Sequence, residues 1–154
     1  MMKKNNQDRL LLIERVLLLK TVSIFSETPE SILAEIAHLM EEEIIGENID
    51  VVTEGEIGNC MYIIFEGEVR IHKGNQTLAI LKDNNYFGEL ALLDTETRSA
   101  TVTTQKESIF YKINQEPFYD LLECSPEIIK AVVQNLSKRL RDANYKIFEL
   151  SNKN

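Results

Sequence analysis

Gly88, Glu89 and Arg98 have residue types and spacing that suit anion chemistry. Gly88 and Glu89 open a short apolar turn of helix, Leu90-Ala91-Leu92-Leu93, followed by a polar loop, Asp94-Thr95-Glu96-Thr97. A helix start leaves backbone N–H groups without partners and carries partial positive charge, so it is a natural anion site. Glycine at this point lets backbone and ligand approach closely, because no Cβ intervenes. Arg98 can bring a guanidinium fork to the same anion. Glu89 cannot ligate a phosphate, but its carboxylate accepts hydrogen bonds from sugar hydroxyls. An acid for a ribose beside an arginine and N–H groups for a phosphate describes a nucleotide site. The bland alternative is that Arg98 simply pairs with Glu89 as a stabilising ion pair.

The rest of the chemistry speaks for binding rather than turnover. His38 and His72 are the only histidines, far apart in sequence, and no H-x-H occurs. A metal centre of the kind found in small β-barrels needs about three converging imidazoles or carboxylates. There is no Ser/His/Asp pattern, no G-x-x-x-x-G-K-[ST] and no G-x-G-x-x-G. No base stands ready to attack a phosphodiester. The expectation is no enzyme, no catalytic residue, no metal and no cofactor beyond the ligand itself.

The stretch from Tyr86 to Thr101, Y-F-G-E-L-A-L-L-D-T-E-T-R-S-A-T, closely resembles the phosphate-binding cassette of cyclic nucleotide-binding domains. Phe87, Gly88, Glu89, Leu90, Ala91, Leu92, Arg98, Ser99 and Ala100 all fit that cassette, and the resemblance runs over roughly residues 10–150. It implies that Glu89 and the Gly88 backbone hold the ribose 2′-hydroxyl. It implies that Arg98, with the N–H groups of Ala91, Leu92 and Ala100, holds the cyclic phosphate, and that Ser99 adds a hydroxyl near phosphate or base. The base would lie over Val69 or Ile71, under a lid drawn from Arg141, Asn144 and Tyr145 of the last helix. The ligand would be cAMP or cGMP, with a lean to cAMP.

These residues need elements to position them. Residues 1–8 are polar, and a frayed start is expected. Arg9 to Lys20 reads as a helix with almost no polar face. A helix that apolar must be covered on more than one side, by its own domain, a partner chain or a neighbouring domain. Thr28-Pro29-Glu30 suits a helix start, with Thr28 as N-cap and Pro29 first in the helix. His38 reads as an ordinary surface or boundary histidine on that helix. From about Glu42 to Ile113 the apolar pattern alternates. Strands are expected at 43–45, 49–53, 61–65, 68–72, 77–81, 99–104 and 108–113, with turn residues between them. Short strands at roughly 8–12-residue spacing predict a closed or sandwiched antiparallel sheet. With helices on both sides, the class is α+β. The family resemblance implies a jelly-roll-like antiparallel β-roll of about eight strands. Gln115–Leu122 and a long helix opened by Ser125-Pro126-Glu127 close the chain. The apolar positions Ile129, Val133, Leu136, Leu140, Ala143, Ile147 and Leu150 of that helix form a heptad seam. The seam can rest on the roll, which is the simpler arrangement, or serve as a dimer contact or mobile lid.

The chain of 154 residues is read as one domain, 1–154. Helices occupy 1–40, the roll 42–113 with its cassette at 86–101, and helices 114–150. A net charge of −8 argues against a nucleic-acid partner or an anionic membrane surface. The apolar run Leu10–Leu19 is too short and too interrupted for a signal peptide or a span, so no membrane insertion and a cytoplasmic location are expected. Cys60 and Cys124 lie in apolar sequence and read as reduced core residues. The functional expectation is a regulatory domain that passes ligand binding through its helices to an output domain or partner. A homodimer through the first or last helix is compatible with it. The alternatives are an interaction or dimerisation module that keeps this fold without binding a ligand, or a truncated catabolite-activator-type transcription regulator. The chain ends about where the helix-turn-helix of such a regulator would begin.

Overall fold

The computed structural model describes residues 9–153. Helix α1 (Leu12–Leu19), a 3-10 turn (Ser23–Phe25) and α2 (Glu30–Ala37) precede ten strands. These are β1 (Glu41–Ile45), β2 (Asp50–Val52), β3 (Ile57–Gly58), β4 (Cys60–Glu66), β5 (Glu68–Lys73), β6 (Gln76–Lys82), β7 (Tyr86–Phe87), β8 (Glu96–Thr97), β9 (Thr101–Thr104) and β10 (Ser108–Asn114). Helix α3 (Leu90–Leu93) lies between β7 and β8, and α4 (Gln115–Cys124) and α5 (Pro126–Ser151) follow β10. All pairings are antiparallel. One sheet has the order β1-β10-β4-β7, the other β2-β9-β5-β6, and β3 pairs with β8 as a separate ribbon. The α+β roll expected from the sequence is the observed architecture.

The seven expected strands are all present. The additional ones, β3, β7 and β8, span two residues each; β3 and β8 fall in stretches that read as loop, and β7 at the start of the cassette. A two-residue pairing leaves no alternation to detect, so its existence is decided by what lies across from it.

The two sheets differ in how they are covered. In β4, Met61 to Ile64 are all buried. Cys60, Tyr62 and Ile64 point into the core between the sheets, with Val52, Val69, Phe87, Val102 and Phe110. Met61 and Ile63 point the other way, into a helical core with Leu19, Phe25, Leu33, Ile36, Tyr111, Phe118 and Ile128. A strand covered on both faces loses its polar face, which explains the unbroken apolar run. The β5 strand is covered on one face and alternates more nearly.

Four local expectations are corrected. Pro29, not Thr28, is the residue flanking α2, and no side chain caps that end. Thr28 is buried instead, and its hydroxyl accepts from Asn135 Nδ2 at 3.4 Å. The first helix begins at Leu12, not Arg9, with Leu11, Ile13 and Leu17 exposed. Cys124 is exposed, whereas Cys60 is buried, and both are free thiols. The heptad seam of α5 does not rest on the roll: Ile129, Val133, Leu140, Ile147 and Leu150 are exposed. The contact face of α5 is Ile128, Ala131, Val132 and Asn135, and Leu136 is the seam residue that packs beside it. It meets the body only along its first half, where Asn135 Nδ2 donates to the Ile24 carbonyl at 2.7 Å. From Leu140 to Ser151 every residue is exposed.

Candidate functional site

The site grows out of the short turn α3. Phe87 ends β7, half the pair that ties the turn to β4 through Tyr62↔Phe87. The two rings stack with centroids 5.2 Å apart. Gly88 follows with φ +78, a left-handed conformation that favours glycine and swings the chain into the turn. Glu89 flanks the helix, with αR backbone. The far end of α3 is held from α4: Gln115 Nε2 donates to the Ala91 carbonyl at 2.8 Å, and the Tyr119 hydroxyl to the Leu93 carbonyl at 2.6 Å. Helix-end carbonyls that lack helical partners are satisfied by side chains in this way.

Arg98 arrives from the opposite side. Its backbone is tied to the turn before β3, with the Arg98 N–H donating to the Glu56 carbonyl at 2.7 Å and the Gly55 N–H to the Arg98 carbonyl at 2.9 Å. Its Nη2 donates to the Cys60 carbonyl at 2.7 Å and lies 3.4 Å from the Cys60 Sγ. Nearby, burial and then the Cys60 thiol push the Tyr62 phenol well above its ordinary range, so it stays neutral.

Together these pieces line a cleft of about 210 Å³. Its walls are Phe87, Gly88, Glu89, Leu90 and Ala91 on one side and Arg98, Ser99 and Ala100 on the other. Glu96 and Thr97 line it too, and Val52, Ile71 and Val102 supply apolar surface from three neighbouring strands. A cleft so lined offers a guanidinium to an anion, a carboxylate to a polyol and apolar surface to a flat group.

The structure thus gathers most of the residues singled out from sequence and leaves others apart. Ile71 reaches the cleft; Val69 does not, because it is fully buried in the core between the sheets. Leu92 is fully buried in the helical core, so it frames the turn from behind. The N–H groups of Ala91 and Leu92 already donate to the Gly88 and Glu89 carbonyls, at 3.1 and 3.2 Å, and are not free for an anion. The helix positions Arg141, Asn144 and Tyr145 are not brought to the cleft; they lie on the exposed outer half of α5. Among the described residues Glu89 does not pair with Arg98. Its Oε1 faces Arg139 Nη2 of α5 at 3.6 Å, and the Arg139 Nη1 is buried with no hydrogen-bond partner.

Arg139, Gly58 and Cys60 are the participants that sequence reasoning missed. Arg139 is one of several cations on an amphipathic helix, and only the packing of α5 tells it from Lys138 or Arg141. Among the described residues no cluster of His, Cys, Asp or Glu is arranged to hold a metal. No described helix is long and apolar enough to cross a membrane.

Comparisons with known proteins agree with this geometry. The chain is 32% identical over 106 residues to a cAMP-dependent protein kinase regulatory subunit of Yarrowia lipolytica, covering 68% of this chain and 28% of that protein. It is 31% identical over 103 residues to a cyclic AMP receptor protein of Thermus thermophilus, covering 64% of this chain and 48% of that one. The chain therefore spans less than half the length of these relatives. Its fold is similar to that of the N-terminal domain of a transcriptional regulator from Streptomyces coelicolor, with a TM-score of 0.79, 25% identity and coverage of 89% and 99% of the two chains. The sequence profile of the cyclic nucleotide-binding domain matches residues 47–124, which hold the roll from β2 onward, its cleft and α4. With that match over half its length, the chain belongs to the cyclic nucleotide-binding domain family.

Proposed function

We propose that this chain is a regulatory domain that binds a 3′,5′-cyclic mononucleotide without hydrolysing it, with cAMP preferred over cGMP. The observation that carries the reading is the convergence of Glu89 and Arg98 on one cleft that Val52, Ile71 and Val102 also line. Arg98 takes the cyclic phosphate, Glu89 the ribose hydroxyl, and the base lies against Ile71, Val102 and Val52. Binding reaches the helices through Arg139, whose guanidinium shares the carboxylate that the ribose would use. A ribose hydroxyl arriving at Glu89 changes what Arg139 pairs with, so ligand and α5 compete for or share one group. A ligand shifts a conformational equilibrium only through such a differential contact. The lean to cAMP rests on Ser99. In the family a Thr at this point often accompanies cGMP selectivity, and Ser keeps the hydroxyl without the methyl that restricts its rotamer.

Calorimetric titration of the purified chain with each nucleotide tests this reading. The expected result is saturable one-site binding, tighter for cAMP, with the nucleotide recovered intact by chromatography. Absence of heat with both nucleotides, or conversion of cAMP to AMP, rejects it.

A second reading, an interaction module, is favoured by a separate observation. Apolar residues of both α5 and α1 face solvent: Leu140, Ile147, Phe148 and Leu150 on one, Leu12, Ile13 and Leu17 on the other. The two readings are compatible if α5 carries the signal to a second copy or to an output domain.

A further inference from the structure

Gly58 has no side chain, and its backbone supplies no reason for that. It is absent from the positions with left-handed φ, unlike Gly55, Gly67, Gly74 and Gly88. A Cβ at residue 58 would lie 2.5 Å from Nε, 2.7 Å from Cζ and 2.8 Å from Cδ of Arg98. Those nearest atoms all belong to one side chain. At Gly88 a Cβ would lie 2.6 Å from Nη1 of the same guanidinium. Both glycines therefore leave room for Arg98, which then reaches the Cys60 carbonyl. An arginine side chain loses much rotamer freedom when ordered, and seating it before the ligand arrives removes that cost from binding.

We propose that Gly58 is a positioning residue for Arg98: its missing side chain is the slot in which the guanidinium is laid before an anion enters. This rests on reading Arg98 as the group that holds the phosphate. What a Cβ would displace is the far end of a flexible side chain, not backbone. Fold and site are therefore separable at this residue.

The test compares wild type with Gly58→Ala and with Gly46→Ala, a control where a Cβ meets nothing within 4 Å. Three quantities are measured: the thermal midpoint, the calorimetric affinity for cAMP, and the Arg98 Nε–H resonance of the ligand-free chain. For Gly58→Ala the fold persists, the Arg98 resonance shifts, and affinity falls by about tenfold or more. Gly46→Ala changes none of these. The double variant Gly58→Ala/Arg98→Ala binds no more weakly than Arg98→Ala alone, because one defect acts through the other. An unshifted Arg98 resonance, or losses that add in the double variant, overturns the proposal. If wild type binds no cyclic nucleotide, the proposed function fails, and the ligand-free resonance alone decides for or against the slot. If Gly58→Ala unfolds the chain, the double variant decides. Recovery of folding on removing Arg98 supports the slot, and continued unfolding overturns it.

Discussion

Arg98 is the sole cation between Tyr86 and Thr101 in a chain of net charge −8, so an anion in the cleft depends on it. Truncating one member of a desolvated charge pair costs about 2–5 kcal/mol. Arg98→Ala is therefore expected to weaken cAMP binding by that amount in a calorimetric titration. Arg98→Lys weakens it less, keeping the charge but not the fork, and Ser99→Ala least of all. Equal affinities for wild type and Arg98→Ala would place the phosphate elsewhere. At this scale the sequence was legible where a residue's role follows from its own chemistry: a carboxylate, a guanidinium and a glycine at a helix start. It was silent on Gly58 and Cys60. Their part is to leave space for Arg98 and to accept from it, and what fills a space is set by tertiary packing. The same limit applies to Ala91 and Leu92, whose N–H groups the tight turn of α3 takes for itself.

The elements were legible in proportion to their length and to how one-sided their surroundings are. Strands of three residues or more announced themselves by alternation or, in β4, by an unbroken apolar run, whereas two-residue β3, β7 and β8 exist because a partner lies opposite. The face of α5 was the largest misreading. Its heptad seam is real in the sequence, yet Asn135, a polar residue, marks the buried stripe, because the Ile24 carbonyl and Thr28 hydroxyl await its amide. Buried polar groups take hydrogen-bonding partners, and periodicity of apolar residues does not reveal where those partners sit. The link between α5 and the cleft is the contact of Arg139 with Glu89. Saturating cAMP is expected to slow hydrogen exchange along residues 126–151 more than in β4 and β5. In Arg139→Ala that response should shrink while binding persists, for a coupling on the order of 1–3 kcal/mol. Identical exchange changes in wild type and Arg139→Ala would show that the signal travels by another route.

Seen as one molecule, the chain has two cores that share β4 and β10, with the cleft at the edge of one and the long helix at the edge of the other. The sequence implied the roll and its flanking helices, but not that the paired strands β4 and β10 each serve both cores. The outer half of α5 leaves Leu140, Ile147, Phe148 and Leu150 uncovered, and a helix with a heptad seam is covered by another such helix. Light scattering over a concentration series is expected to show a dimer, and Leu140→Glu with Ile147→Glu to leave a monomer that still binds cAMP. A wild-type chain that stays monomeric at the highest concentration would leave the seam to some other partner. The single point where α5 is pinned by a buried hydrogen bond, Asn135 to Ile24, then takes on mechanical meaning. With a rise of about 1.5 Å per residue, the helix beyond that point is an arm of roughly 24 Å. Turning it by about ten degrees at the pin carries its tip some 4 Å, roughly the spacing between neighbouring strands. Glu89 grips the same helix one turn past the pin, about 6 Å from the fulcrum, so an adjustment of about 1 Å in the cleft is geared up roughly fourfold to a displacement that a second protein can read.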